Sequence, residues 1–276
     1  MSDTRLRTLE RAAHTGGPRD ADAWLAEVKR TRSRLEWLQA MHEVRPRLVE
    51  LACYCRDDEA LLACGFTERR KAEPAAATVV DWCHSLPTYT NAAGLLVPYV
   101  EVRVALAMAE ACVDTWARRG CEHVTAGCGR ILGHLNRAHD REPLALLNWC
   151  ERAVAGRSSW PRLRRERPEL VRREVPHDDV IGGRIYLQWE FPLQGLGAAP
   201  WVIESCLAPG SQPVSLASMA QQVASERHHD VNHEPYAWWL ERFQELMRRD
   251  VVPWLLGERD PVKERLRSRG QHEAST

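Results

Sequence analysis

A chain of 276 residues with 38 basic and 38 acidic groups carries no formal net charge. Nothing overall therefore directs it to a nucleic-acid backbone, an anionic membrane or an acidic partner. An apolar share of 44% beside a charged share of 28% suits a globular chain long enough to bury a sizeable core.

The opening text, "MSDTRLRTLERAA", is charged and lacks the apolar run of a secretory signal. The least polar stretch is interrupted by Pro98, Glu101 and Arg103, so no apolar span of about 20 residues exists. A cytoplasmic protein without a membrane segment is expected. The nine cysteines lie in alanine- and leucine-rich helical text, which favours reduced, buried thiols over disulfides.

Residues 1–156 read as successive helices over 4–13, 20–41, 45–55, 58–64, 75–85, 97–119, 121–138 and 142–155. Stop signals separate them: "TGGP", Gly65, Pro87, Gly120 and "AGRSSWP". Trp24, Val28, Leu35 and Leu38 keep helical spacing, as do Val104, Met108, Val113 and Trp116. The short connections predict a helical bundle or stacked helical hairpins.

Two segments, "RLRTLERAAHTGGPRDADAWLAEVKRTR" and "RLVELACYCRDDEALLACGF", resemble the N-terminal short-helix module of a group of uncharacterised bacterial helical proteins. Those proteins open with a leucine-arginine helix, a Gly/Pro break, an A-x-W-L-x-E helix and an L-A-x-Y helix. The resemblance covers about a quarter of the chain. It implies short stacked helices and brings no catalytic residue.

Segment 157–174 holds seven arginines and three glutamates, and reads as a basic linker in which Arg164 and Arg165 are candidate contacts. Strand text follows. "RIYLQWEF" at 184–191 alternates Ile185, Leu187, Trp189 and Phe191 with polar neighbours, and 201–207 supplies a second strand. Ser215 can cap a helix, and another runs over 235–256. Residues 175–262 are thus expected to form a small α+β (ββαα) module, with 263–276 as a frayed tail. The fold class is mainly α, a helical domain over 1–156 followed by this module.

The densest chemistry is "ERHHDVNHEPYAWW". Here His228, His229, Asp230, His233 and Glu234 are the candidate metal ligands. His229 and His233 would share one face of a continuous helix. Pro235 breaks that continuity, because its ring clashes with the preceding turn. It suits the first turn of a new helix instead, with Glu234 at the positive helix end. The segment reads as a helix–loop–helix junction.

Text over 215–247 also resembles the first half of a helix-turn-helix. Its connection is too long, however, and its second helix presents Trp238, Trp239, Glu241 and Glu245, where base reading calls for Arg, Asn or Gln. Trp238 falls off the apolar stripe and is a candidate interface anchor. "VPHDDV" offers His177 beside Asp178 without a nucleophile, and no cofactor-binding motif is present.

The function expected is a non-enzymatic interaction component: an adaptor, regulator or immunity-type binder whose partner is another protein. A metal-dependent or hydrolytic enzyme using the histidine cluster is the alternative. A DNA-binding regulator using the 215–247 pair is the second.

Overall fold

The computed structural model describes residues 3–55, 57–66, 79, 82–84, 86, 91, 94, 97–119, 142–156, 220 and 234–273. These are mainly α, and no strand occurs among them. The two expected strands, 184–191 and 201–207, lie outside the described residues. The ββαα module therefore finds no support: every element between 234 and 273 is helical.

Five short helices open the chain: α1 (Asp3–Thr15), α2 (Pro18–Thr31), α3 (Arg34–Val44), α4 (Pro46–Tyr54) and α5 (Asp58–Ala63). Each packs on the next, and α3 also packs on α5, which gives the expected stack. The single helix expected over 20–41 is two. Ser33 N-caps α3, its Oγ accepting from the Glu36 N–H while the Glu36 carboxylate accepts from the Ser33 N–H. This reciprocal capping box starts a new helix. It also resets the buried stripe, from Trp24, Leu25 and Val28 on α2 to Trp37, Leu38 and Met41 on α3.

The hub is α6 (Val97–Arg119), in which Val102 through Ala109 are all buried. Against it lie α7 (Glu142–Val154) and α8 (Glu234–Leu246). Pro235 is the second residue of α8, as its fixed φ favours. Trp239, Phe243, Leu246 and Met247 form the buried stripe of α8, with Trp239 and Phe243 stacked at 5.3 Å. The stripe packs on α6.

After α8 the helix widens into a π turn, Met247–Val251, before α9 (Val252–Leu255). Pro253 explains the widening. It cannot donate to the carbonyl four residues back and its ring crowds that carbonyl, so the preceding turn opens. Gly257 then takes a left-handed φ of 66° that a side chain would resist.

The expected frayed tail is α10 (Pro261–Glu273), with Val262 and Leu266 buried. Pro261 pre-sets the first turn, and Asp260 accepts from the Lys263 N–H at 3.2 Å. Side chains from α2 to α10 share one apolar core.

Candidate functional site

The built constellation joins four elements: α6, α7, the π turn and α10. Glu110 comes from α6, Asn148 and Glu151 from α7, Arg249 and Asp250 from the π turn, and Arg265 and Arg269 from α10. Arg249 donates to Asp250 through Nε at 2.9 Å and to Glu110 through Nη2 at 2.7 Å. Arg265 donates to Asp250 through Nη1 and to Glu151 through Nε. Arg269 Nη1 is shared between Glu151 and Asn148. The π turn matters here, because it carries Arg249 and Asp250 into reach of both α6 and α10.

Four acids and four arginines balance when Arg259 and its partner Glu264 are included, yet they are segregated by depth. The side chains of Glu151 and Asp250 are only 3% and 6% exposed, and Glu110 is 14% exposed. Arg259 and Arg269 are 52% and 51% exposed, and Arg249 36%. Three of the acids are therefore inside, while Glu264 (45% exposed) stays at the surface with Arg259, Arg269 and Arg249. Above the network lies a groove of about 430 Å³, lined by Arg249, Arg259, Arg265 and Arg269 together with the acids Asp250 and Glu264 among others. Nη1 of Arg249 and Nη2 of Arg259 and Arg269 have no acceptor among the described residues.

The two acids nearest Arg249 respond oppositely. Burial pushes the Asp250 carboxyl up, but hydrogen bonds from Arg249 and Arg265 outweigh it and hold it below the usual carboxylate range. Burial also pushes Glu110 up, and there it prevails over Arg249 and Arg265. The geometry gives the reason: Glu110 Oε2 is buried with no hydrogen bond, whereas both Asp250 oxygens accept one or more. What such a site offers a ligand is directed N–H donation to carboxylate or phosphate oxygens.

A second buried ion pair fixes the site's far edge. Arg103 on α6 is 6% exposed, grips both Asp260 oxygens at 3.0 and 2.7 Å, and stacks on Trp254 at 4.2 Å. Arg34 on α3 reaches Asp57, Glu59 and Glu258 at 2.7 to 2.8 Å, which ties the short-helix stack to the turn before α10.

Of the residues singled out in the sequence, His228, His229, Asp230 and His233 lie outside the described residues, as do Arg164, Arg165, His177 and Asp178. Glu234 is the first residue of α8, and Trp238 is half-buried on that helix. Among the described residues no group of three or more His, Cys, Asp or Glu is placed to hold a metal. On α8, the helix considered for base reading, Trp239 and Phe243 are in the core and Arg242 is paired with Asp114 and Glu245.

Sequence reasoning missed the arginine–carboxylate network. Its one local signal was acids set in apolar helical text: Glu110 in "LAMAEACV" and Asp250 before "VVPWLL". Among the described residues no helix is long and apolar enough to cross a membrane. No protein-family model, no curated protein and no solved structure matches the chain.

Proposed function

We propose that the chain is a non-enzymatic interaction component that holds an acidic surface of another protein in the groove between the π turn and α10. One observation carries this reading: Glu110, Glu151 and Asp250 lie deep while Arg249, Arg259 and Arg269 stay exposed, with Glu264 the one acid of the network beside them at the surface. Arg249 and Arg269, already fixed by buried carboxylates, lose little freedom on binding, so their donors are pre-organised for a partner's carboxylates. The zero net charge of the chain supports a local contact over capture of a polyanion, which draws on a long-range field. The stacked short helices α1–α5 supply the rigid scaffold such components use.

The test is co-expression with the products of adjacent reading frames, followed by size-exclusion chromatography. A co-eluting protein that is lost with Arg259→Glu and Arg269→Glu supports the reading. Failure to recover any partner, or a partner that binds those variants equally well, refutes it.

A further inference from the structure

We infer that Cys53 and Cys64 are a redox pair, closing to an intramolecular disulfide when the folded protein meets a hydroperoxide. The two sulfurs are already in contact, with Cys53 Sγ donating to Cys64 Sγ at 3.3 Å. They belong to different parts of the stack: Cys53 is on α4, and Cys64 is the C-cap that follows α5. Cys64 precedes Gly65, whose φ of 75° turns the chain out of the helix. A sulfur at a helix end can move the roughly 1.2 Å that bonding distance requires without breaking an interior helical turn.

Access differs between the partners in the way a sensing pair needs. Cys64 is half-buried and can meet a small oxidant, while Cys53 is 3% exposed and sits behind it. Cys55 lies only two residues from Cys53, but it is fully enclosed and burial pushes its thiol up to about 12. It does not compete. Burial also raises Cys53 and Cys64, so the step is slow at neutral pH and quickens in mild alkali, where more thiolate forms.

In the first step the Cys64 thiolate attacks one peroxide oxygen, the O–O bond breaks, and the departing hydroxide takes a proton to become water. Cys64 is then a sulfenic acid. In the second, Cys53 sulfur attacks Cys64 sulfur, the S–S bond forms as the S–O bond breaks, and hydroxide leaves as water with the Cys53 proton. Two thiols and one peroxide give one disulfide and two waters. The product ties α4 to α5 covalently, next to the exposed side chains of Leu62 and Phe66.

The experiment is treatment of the folded protein with hydrogen peroxide, then peptide mapping by mass spectrometry without reductant. A cross-linked pair of peptides containing Cys53 and Cys64, two hydrogens lighter than their sum, is expected, with two of the nine thiols lost. Cys55→Ser keeps the cross-link. Cys53→Ser leaves Cys64 to advance to the sulfinic acid, with circular dichroism confirming that the helices remain. The inference is overturned if the pair stays reduced while other thiols react. It is equally overturned if Cys64 joins a different cysteine, or if protein unfolded in urea gives the same cross-link in equal yield.

Discussion

Replacing Arg103 by alanine tests the idea that buried ion pairs hold α10 on the core. The side chain makes two charge-assisted hydrogen bonds to Asp260 and a stacked contact with Trp254. The bonds contribute roughly 1.5–3 kcal/mol each and the stacking about 1 kcal/mol. Against this stands the cost of desolvating a guanidinium that is 6% exposed, which the substitution returns. Asp260 is 21% exposed and also near Lys263, so it rehydrates in part. The net loss should be about 3 kcal/mol, or about 6–12 °C in Tm for a chain of this size. Urea unfolding followed by far-UV circular dichroism measures it. Asp260→Asn in a double-mutant cycle should return a coupling of about 2 kcal/mol. A single-mutant loss below about 0.5 kcal/mol, or strict additivity, would refute the claim that this pair anchors the helix.

The remaining predictions concern the caps and the network. Ser33→Ala should cost about 1 kcal/mol by removing the capping box that starts α3, read from the urea midpoint. Glu151→Gln should cost about 2–4 kcal/mol, since it leaves Arg265 and Arg269 short of their acceptor, whereas Glu110→Gln should cost about 1 kcal/mol or less because it removes a charge that burial already disfavours; equal losses in thermal melts would contradict the opposed environments. Asp250 and Asp260 are depressed in the folded chain, so their contribution is present above the unfolded carboxylate value of about 3.9 and is lost as pH falls through the lower folded values. Melting temperature should therefore drop below about pH 4, and less steeply in Asp260→Asn. Glu110 runs the other way: its folded value is raised, so stability declines as pH rises from the unfolded to the folded value, and Glu110→Gln should flatten that part of the profile.

Helices announced by local chemistry were legible in the sequence. Thr4, Arg45, Asp58, Val97 and Glu142 stand at or near real helix starts, and Pro235 sits in the first turn of α8, where its missing N–H is tolerated. The break at Ser33 was legible too, in "SRLE", but the apolar residues on either side imitate one continuous stripe. The capping box at Ser33 and the change of buried phase between Val28 and Trp37 together reveal two helices. The π turn and α10 were hidden for a different reason. Little of α10 is apolar beyond Val262 and Leu266, and its anchors are Arg265 and Arg269, whose partner Glu151 lies more than a hundred positions away. Periodicity reports burial along a segment and cannot report which distant carboxylate a guanidinium will meet.

The tethers that span the chain set an order of events during synthesis. Lys29 donates to the Gly257 carbonyl, Arg34 to Glu258, and Arg103 to Asp260. The stack of α1–α5 is built from neighbours and can assemble as it leaves the ribosome. Among the described residues, the buried charges Arg103 and Glu110 on α6 meet partners distant in sequence, Asp260 and Arg249. Until residues 249–260 emerge, the nascent chain must keep a mostly apolar helix with two uncompensated charges in contact with water. A chain stopped short of α9 and α10 keeps α7 and α8 on α6 but lacks Asp260, which leaves the buried Arg103 guanidinium without its carboxylate.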